Sequence, residues 1–400
     1  MSGPMDGVKV VELGVWIAGP AAGGILADWG ADVVKIEPPA GDPARSFRQI
    51  LGGDMPTNPI FEMDNRGKRS IALDLTLDAG LDIALELIDG ADVFITNVRP
   101  SGLRRLGLDA DSLRSRQPSL VYAAITGFGL EGPAADTAAY DVGAFWSRAG
   151  IAHLLTAPGA DPPFQRGGMG DHNAGLAGAA MISAALFSRE RSGEGQIVST
   201  SLYRQGLYTV SFDLSVVLGW GLTIDVGLRD GMANAAMNNY VAGDGRRFWI
   251  VGLEGDRHWP PLARAVGHAE WIDDERFVDR RARYENAKQL IAELDAIFAT
   301  RPLAEWAEVF DSEPEFFWAP VNSPDDILAD PQLEPSGALI DVPDWGTALA
   351  TPVDFHGTPW QPTGPAPGLG EHADEILLAL GRDDQAIAEL VAGGAVIKPT

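Results

Sequence analysis

Short apolar runs alternate with amphipathic stretches along the first 130 residues. Five of these runs predict buried strands: 8–13, 32–36, 70–75, 92–96 and 120–126. Between the runs, 20–29 is small and apolar, and 78–89 places leucine and isoleucine at helical spacing. Strands that alternate with helices in this way predict an α/β fold with a parallel sheet covered on both faces.

The pattern changes between about 223 and 330. A strand is predicted at 247–251, and helical stretches rich in Trp and Glu follow it. We interpret this segment as a smaller second domain. From 343 onward Pro and Gly become frequent, which predicts an extended crossing segment before a helix near 373–380.

The chain of 400 residues is strongly acidic, with a formal net charge of −26. Such a surface repels DNA, RNA and anionic lipid, so we expect neither nucleic acid nor a membrane as a partner. There is no cysteine, and the six histidines lack the spacing of a zinc site, so no metal is predicted. No signal peptide and no apolar run of membrane-spanning length is found, which predicts a cytoplasmic protein.

The turn after the first predicted strand contains glycine, as in dinucleotide-binding folds. An NAD or FAD site has GxGxxG in this turn and an acidic residue about 20 positions further on. Here Gly14 and Gly19 are separated by four residues, so the spacing fails. The turn therefore favours a Rossmann-like half that binds no dinucleotide over an NAD-dependent enzyme.

Basic residues gather near predicted strand ends and turns of the first 105 positions: Arg45, Arg48, Arg66, Lys68, Arg69, Arg99, Arg104 and Arg105. On an acidic protein they could form a local patch for phosphates, which guanidinium groups bind in pairs of hydrogen bonds. They could equally be surface residues paired with neighbouring carboxylates, and charge alone favours this second interpretation.

Asp171 follows a glycine-rich stretch, 167–170, and precedes an Ala/Gly-rich helix predicted at 173–189. At that position it could simply be the N-cap of the helix. It could also be a nucleophile, because a helix N-terminus keeps a carboxylate ionised and the glycines admit a bulky substrate. The local pattern favours the N-cap. His172 beside it suggests a base, but a neighbour in sequence need not face the same way.

Ten groups of segments in register resemble the class III CoA-transferase family, which includes formyl-CoA transferase, carnitine-CoA transferase and the α-methylacyl-CoA racemases. They span nearly the whole chain in the order of the family: 13–20 and 26–37; 41–42 with Arg45; 65–70 and 73–75; 97–100; 106–108; 126–129, 132–133 and 140–141; 170–171; 193–196; 319–321; 369–372. One such segment would be weak support, but the ordered set is specific.

The resemblance implies a large Rossmann-like, CoA-binding domain formed by 1–200 and 340–400, and a small α/β domain at 225–325. The stretches 201–224 and 326–339 would then be linkers. It also implies a homodimer whose two subunits interlock like rings. Threaded topologies are rare, so residue patterns alone would not have suggested this.

The resemblance also implies the reaction and its residues. Asp171 falls on the nucleophilic aspartate, which would form an acyl anhydride and then an aspartyl-CoA thioester on the way from an acyl-CoA donor to an acceptor acid. Coenzyme A and acyl-CoA would be substrates, with no permanently bound cofactor. Twelve positions would line the CoA: Ile17, Ala18, Leu73, Asp74, Leu75, Thr76, Asn97, Val98, Arg99, Arg105, Thr137 and Tyr140.

Three departures from the family pattern bear on the expected substrate and on the binding of CoA. Ile17 replaces a Gln that often precedes the AGP triplet, and 231–237 replaces a run of glycines. Both disfavour oxalate or formate as substrate. The stretch 137–140 lacks a basic residue, which weakens one phosphate contact. With Trp16 and Trp146 as further apolar wall, we expect a longer or more apolar acyl group.

Two other functions remain as alternatives. An α-methylacyl-CoA racemase needs two acid/base groups beside the α-carbon, and the family's racemases have a His where this chain has Tyr140. A tyrosine, with an ordinary pKa near 10, is a poor base at neutral pH. A non-catalytic CoA-binding protein is disfavoured by the intact Asp171.

Overall fold

The computed structural model describes residues 3–49, 55, 57–223 and 227–398, and gives only the backbone of 47–49. The chain divides into two compact units. The large unit comprises Met1–Leu154, Pro163–Thr223 and Glu334–Thr400, and the small unit comprises Leu155–Pro162 and Ile224–Leu333. Both ends of the chain therefore contribute to the large unit.

Twelve strands are formed within the described residues: β1 (Lys9–Leu13), β2 (Asp32–Glu37), β3 (Arg69–Leu73), β4 (Val93–Thr96), β5 (Val121–Thr126), β6 (Ile197–Ser201), β7 (Met237–Val241), β8 (Arg247–Val251), β9 (Trp318–Pro320), β10 (Leu339–Val342), β11 (Gly346–Leu349) and β12 (Val396–Ile397). The five strands predicted in the first 130 residues are β1 to β5, with bounds within two residues of those predicted.

Sixteen α-helices are formed in the same part of the chain: α1 (Ala18–Asp28), α2 (Pro59–Asn65), α3 (Asp78–Asp89), α4 (Pro100–Leu106), α5 (Ala110–Arg116), α6 (Ile151–Leu154), α7 (Met169–Ser192), α8 (Leu202–Thr209), α9 (Ser211–Trp220), α10 (Gly255–Ala265), α11 (Arg280–Glu285), α12 (Ala287–Phe298), α13 (Leu303–Ser312), α14 (Pro324–Leu328), α15 (Ala373–Ala379) and α16 (Asp384–Ala392). A π-helical segment, Val142–Arg148, and three 3₁₀ segments, Pro43–Gln49, Arg229–Gly231 and Ala269–Ile272, complete the helical elements.

The stretch 201–224 was predicted as a linker, but its described residues, 201–223, are mostly helical. Ser201 is the N-cap of α8 and its side chain accepts a hydrogen bond from the Arg204 amide, 3.1 Å away. The following run is free of proline and continues into α9. The second predicted linker, 326–339, is divided between the two units at 333–334.

The large unit is built on a seven-stranded sheet of order β12-β3-β2-β1-β4-β5-β6. The six strands from β3 to β6 are all parallel, and β12 pairs antiparallel with β3 at the edge. The order 3-2-1-4-5-6 is that of the doubly wound Rossmann fold, in which ligands bind where the order reverses, outside the carboxyl ends of the strands. Here that point lies between β1 and β4.

Successive residues of the strands alternate between two hydrophobic cores, as the pleat of a sheet requires. Val11 and Val34 pack on the face covered by α3, α4, α5, α15 and α16. Val10 and Val33 pack on the opposite face, which α1 and α7 cover. The sheet is therefore buried on both sides, as the unbroken apolar runs predicted.

Small residues allow α1 and α7 to pack closely. A Cβ built on Gly175 would lie 2.6 Å from the Ala21 Cβ, and one on Gly178 would lie 2.9 Å from the Ala22 Cβ. Because these contacts advance in the same direction along both helices, the two helices run parallel. Their N-termini therefore lie at the same end, and α1 places that end at the carboxyl edge of β1.

The small unit has a three-stranded antiparallel sheet, β7-β8-β9. Its core is rich in aromatic side chains; Tyr240, Phe248 and Phe298 are fully buried and pack ring against ring. The predicted strand at 247–251 is β8, with the same bounds.

Candidate active site

The candidate site lies at the carboxyl edge of the large sheet, where the loops after β1 and β4 meet. The Asn97 side chain joins them: its Oδ1 accepts a hydrogen bond from the Val15 amide at 3.0 Å, and its Nδ2 donates to the Val15 carbonyl at 2.7 Å. Asn97, predicted to contact CoA, thus has both amide atoms engaged in fixing this loop.

Trp16 follows in a left-handed backbone conformation, with φ of 66°. Its amide donates a hydrogen bond to the Asp42 Oδ1 at 3.0 Å. Its ring meets the Tyr140 ring edge to face, with centroids 5.8 Å apart, and Tyr140 is largely exposed. Ile17 then precedes the first residue of α1 and remains half-buried.

Buried charges lie beneath this loop. The two Glu12 carboxylate oxygens pair with the ammonium groups of Lys35 at 2.9 Å and Lys68 at 2.7 Å, and all three side chains are inaccessible to solvent. Lys35 also pairs with Asp42 at 3.0 Å. Burial lowers the pKa of Lys68 to about 8, against the opposing charge of Glu12. Lys68 is therefore a structural cation, not part of a phosphate-binding patch.

Most of the other basic residues from the amino-terminal part are also paired. Arg45 pairs with Glu37, Arg66 with Asp28, Arg69 with Asp32, and Arg104 with Asp136. The side chain of Arg48 lies outside the described residues. Arg99 and Arg105 are exposed, and the described residues provide no ion pair for either. The ion-paired interpretation thus holds for most of the cluster, and these two arginines remain available to an anion.

Asp171 is not the N-cap of its helix. The helix begins earlier than predicted, at Met169, because Gly168 adopts the left-handed conformation, with φ of 82°, and takes the N-cap position. Asp171 is the third residue of the first turn. A Cβ on Gly168 would lie 3.8 Å from the Ile17 Cδ1, so the N-terminus of α7 adjoins that of α1.

Asp141 holds the backbone next to Asp171. Its Oδ2 accepts a hydrogen bond from the Gly170 amide at 3.0 Å, and its Oδ1 accepts one from the Gln165 Nε2 at 2.8 Å. Asp141 is buried, and Gly170 is required here because a Cβ would lie 2.3 Å from the Asp141 Oδ1. Asp141 was not among the predicted site residues.

The Asp171 carboxyl is half-buried, and its environment disfavours ionisation. Burial, together with the nearby charges of Asp141 and Asp64, raises the pKa of Asp171 to about 7, and the His172 charge opposes them. Burial and the neighbouring carboxylates therefore act against the ionisation that a helix N-terminus favours.

His172 pairs with Asp64, whose Oδ1 lies 3.1 Å from the His172 Nε2. Burial lowers the pKa of His172, but the hydrogen bond to Asp64 and the charges of Asp64, Asp171 and Asp141 outweigh it and raise the pKa. Burial raises the pKa of Asp64. Both side chains line a cavity of about 270 Å³ beside α7. His172 is thus placed to act on Asp171 as a nearby cation.

The positions predicted to line CoA fall on successive loops of one sheet edge. Leu73 is fully buried, and Asp74 closes a turn by accepting hydrogen bonds from the Thr76 amide at 2.9 Å and hydroxyl at 2.6 Å. Thr76, Arg99, Arg105, Thr137 and Tyr140 are exposed, Leu75, Val98 and Ile17 are half-buried, and Ala18 is buried. β3 and β4 are three interstrand steps apart, or about 14 Å, so an extended ligand would be needed to span them.

Trp146 does not contribute to an apolar wall. It is buried among the residues of a hydrophobic core, and its indole N–H donates to the Pro163 carbonyl at 3.1 Å. It belongs to the π-helical segment, whose packing turns the ring inward. Trp16, Ile17 and Tyr140 remain as the accessible apolar surface near the α1 N-terminus.

No group of three or more His, Asp or Glu side chains that could hold a metal ion occurs within the described residues. In the same residues, no helix has the length and apolar character needed to cross a membrane.

Comparison with known proteins finds relatives along the whole chain. The sequence model of CoA-transferase family III matches residues 5–373. The chain is 29% identical to (R)-2-hydroxy-4-methylpentanoate CoA-transferase from Clostridioides difficile, over 96% of this chain and 97% of that protein. It is 32% identical to succinate–glutarate CoA-transferase from Agrobacterium fabrum, over 94% and 96%.

Solved structures agree with this assignment. The crystal structure of a CAIB/BAIF family protein from Brucella suis superposes with a TM-score of 0.82 at 32% identity, over 95% of this chain and all of that one. The mixed α/β fold with its mostly parallel sheet and the match along the chain define an enzyme that transfers coenzyme A. The chain belongs to CoA-transferase family III.

Proposed function

We propose that the protein moves CoA from an acyl-CoA donor to a free carboxylic acid, with Asp171 as the nucleophile. The observation that supports this most is the placement of Asp171: a half-buried carboxyl of pKa about 7 in the first turn of a helix whose N-terminus adjoins that of α1. A carboxylate with a raised pKa is a stronger nucleophile once ionised, and at neutral pH a substantial fraction is ionised.

The proposed reaction proceeds through two covalent species. The Asp171 carboxylate attacks the donor thioester, which forms an aspartyl–acyl anhydride and expels the CoA thiolate. The thiolate attacks the aspartyl carbonyl, which forms an aspartyl-CoA thioester and releases the donor acid. The acceptor carboxylate then attacks this thioester and the steps run in reverse, so that Asp171 is regenerated and no external base or oxidant is consumed.

Each tetrahedral intermediate carries an oxyanion that needs hydrogen-bond donors. The first backbone N–H groups of a helix have no partner within the helix, and α1 has no side-chain cap. We assign the Ala18 and Gly19 amides to this role, because their helix starts next to Gly168 and α7. Pro20 has no N–H to offer, which leaves these two donors at the helix start.

We place the CoA along the sheet edge from the β3 loop to the β4 loop. The exposed arginines Arg99 and Arg105 are the proposed phosphate contacts, since the described residues leave both without an ion pair. Thr76, Val98 and Thr137 lie on the neighbouring loops and would contact the nucleotide and pantetheine. The three interstrand steps between β3 and β4 suit an extended ligand of this kind.

The accessible apolar side chains Trp16, Ile17 and Tyr140 support a longer or more apolar acyl group over formyl or oxalyl. Each buried methylene is worth about 0.8 kcal/mol. Racemisation gains no support from the site. Tyr140 stands where a second acid/base group would be needed, and the imidazole of His172, the neighbour of Asp171 in sequence, is hydrogen-bonded to Asp64.

The proposed assembly is an interlocked homodimer. Helix α9 has an apolar sequence, yet none of its residues is buried within the chain. Phe212, Leu218 and Trp220 are 72%, 87% and 74% exposed. An apolar surface of this kind marks a protein interface. An interlocked dimer would not dissociate on dilution, so a folded monomer in light scattering at low concentration would contradict this assembly.

The function is tested by a screen of acyl-CoA donors against free carboxylic acids, read by the mass of the acyl-CoA products, with Asp171→Asn as the matched blank. We expect acceptor-dependent formation of a new acyl-CoA by the wild type alone. Formyl-CoA or oxalyl-CoA as the best donor would contradict the apolar preference. Exchange of the α-proton of a 2-methylacyl-CoA in deuterated water, at a rate matching transfer, would favour the racemase.

A further inference from the structure

The turn between β1 and α1 holds a tryptophan in a conformation that L-residues avoid. Trp16 has φ of 66°, and among the other non-glycine residues of the described chain only Glu315 and Asp344 have positive φ. A bulky residue persists in this region only where its surroundings enforce it, and such positions concentrate at functional sites. The contacts that hold Trp16 in this conformation therefore indicate how the proposed active site is positioned.

Buried side chains hold the backbone of this turn. Lys35 Nζ donates to the Gly14 carbonyl at 3.0 Å, and Asn97 binds both the amide and the carbonyl of Val15. The Trp16 amide donates to the Asp42 Oδ1 at 3.0 Å. The left-handed residue is thus tied to a carboxylate on another loop.

Asp42 is held by hydrogen bonds at its Oδ1 and by an ion pair at its Oδ2. Its Oδ1 also accepts from the Ala44 amide at 2.9 Å, and its Oδ2 lies 3.0 Å from the Lys35 Nζ, which in turn pairs with Glu12. Asp42 is 2% exposed. Because Asp42 is buried and its oxygens contact Ala44 and Lys35, which lie outside the turn, we infer that Asp42 holds the turn and does not follow it.

The turn determines two features of the proposed active site. It sets the ring of Trp16 edge to face against Tyr140, and it sets the direction in which the chain enters α1. That direction places Ile17 beside Gly168, and it determines the orientation of the Ala18 and Gly19 amides that are proposed as oxyanion donors. If the Trp16 amide lost its hydrogen bond to Asp42, Trp16 could relax to negative φ. The Trp16 ring and the Ala18 and Gly19 amides would then turn away from the proposed reacting carboxyl.

We propose that Asp42 is a positioning residue for CoA transfer. It acts through Trp16, by holding the left-handed turn that presents the Trp16 ring and the first amides of α1 to the reacting carboxyl. The inference rests on the proposed function of Asp171, and it assigns to Asp42 no contact with substrate.

The first test compares kcat with KM. Asp42→Ala removes the acceptor, and misplacement of the oxyanion donors should lower kcat by about ten-fold or more. The KM for acyl-CoA should stay within about two-fold, because the proposed CoA contacts on the β3 and β4 loops are untouched. Asp28→Asn is the control: it alters another buried ion pair of the same unit, with Arg66, and should lower the melting temperature without lowering kcat.

The second test asks whether the loss depends on the strained residue. Glycine adopts positive φ without strain, so in the Trp16→Gly background Asp42→Ala should cost less than about three-fold in kcat. Asp42→Asn keeps a carbonyl oxygen for the Trp16 and Ala44 amides but turns its NH₂ group toward the buried Lys35 ammonium. It should therefore lower the melting temperature, while the folded variant retains kcat within about three-fold. A purely structural role for Asp42 would instead give the same loss in both backgrounds.

Failure of the proposed function and failure of the inference about Asp42 give different results. A wild type that transfers no CoA overturns the proposed function, and this inference falls with it. A wild type that transfers CoA, together with a folded Asp42→Ala of unchanged kcat or an equal loss in both backgrounds, overturns the inference alone. If Asp42→Ala does not fold, Asp42→Asn decides: a folded variant that retains kcat supports the inference, and one that loses ten-fold or more in kcat overturns it.

Discussion

Asp141 binds the backbone that carries Asp171: its Oδ2 accepts a hydrogen bond from the amide of Gly170, 3.0 Å away and one residue before Asp171. The same carboxylate contributes to raising the pKa of Asp171 to about 7. The Asp141 side chain therefore both holds the first turn of α7 and raises the pKa of the proposed nucleophile in that turn.

The charge of Asp141 can be removed without removing its hydrogen bonds. In Asp141→Asn, the Asn oxygen can still accept from Gly170, and the Gln165 amide can turn so that its oxygen accepts from the new NH₂ group. Transfer needs the ionised Asp171, so the rate should rise with pH through about 7 in the wild type. In the variant, the midpoint of the pH–rate profile should move down by about one unit. An unmoved midpoint would show that Asp141 does not act on Asp171 by its charge.

The charge of His172 should lower the pKa of Asp171, whereas the charge of Asp141 raises it. Its positive charge favours the ionised form of Asp171, so His172→Gln should move the midpoint of the pH–rate profile upward. Glutamine can still donate a hydrogen bond to Asp64. The matched control is His153→Gln, which changes an exposed histidine of the same unit and should leave the midpoint in place. A downward shift in His172→Gln would contradict the proposed electrostatics.

The raised pKa of Asp171 also predicts a dependence of stability on pH. The folded-state value of about 7 exceeds the unfolded value of about 3.9, so between these pH values the folded protein binds more protons than the unfolded chain. This group's contribution to stability is therefore present below about pH 4 and is lost as pH rises to about 7. Asp171→Asn has no such ionisation and therefore no such loss of stability. The melting temperature of the variant minus that of the wild type should therefore increase as the pH rises from about 4 to about 7. A constant difference would place the pKa of Asp171 near its ordinary value.

Much of the fold could be predicted from sequence, because the strands of a parallel sheet are buried on both faces and appear as unbroken apolar runs. The start of α7 could not be predicted from the sequence. A glycine pair before Met169 is typical of a loop, and only the left-handed φ of Gly168 shows that it is the N-cap. Similarly, the resemblance implied a linker at 201–224, yet the stretch forms α8, which contributes Leu202 to a hydrophobic core, and α9, none of whose residues is buried within the chain.

The site was predicted in part. Asp171 was singled out through a family resemblance, since its local pattern alone favours an N-cap. Asp42, Asp64 and Asp141 were not predicted as site residues, because each acts on residues 26 to 108 positions away in sequence. Asp42 and Asp141 do lie in segments that match the family, so a search of those segments for buried carboxylates could have found both.

Two exposed arginines provide a test of the CoA site. Arg99→Ala and Arg105→Ala should each raise the KM for acyl-CoA by about five- to ten-fold, with little change in kcat, because each removes a charged contact to phosphate. The effect should weaken at high salt. Arg104→Ala is the control, because Arg104 adjoins Arg105 but pairs with Asp136 at 3.2 Å. Equal effects of all three substitutions would indicate a general loss of positive charge and not a site.

The central claim is that Asp171 becomes covalently bonded to CoA during the reaction. The most direct measurement gives an acyl-CoA without acceptor, digests the protein and locates the added mass, with hydroxylamine used to convert the thioester to a hydroxamate. We predict an adduct of CoA mass on the peptide that contains Asp171, and none in Asp171→Asn, which also transfers no CoA while remaining folded. An adduct on another residue, or a fully active Asp171→Asn, would contradict this account.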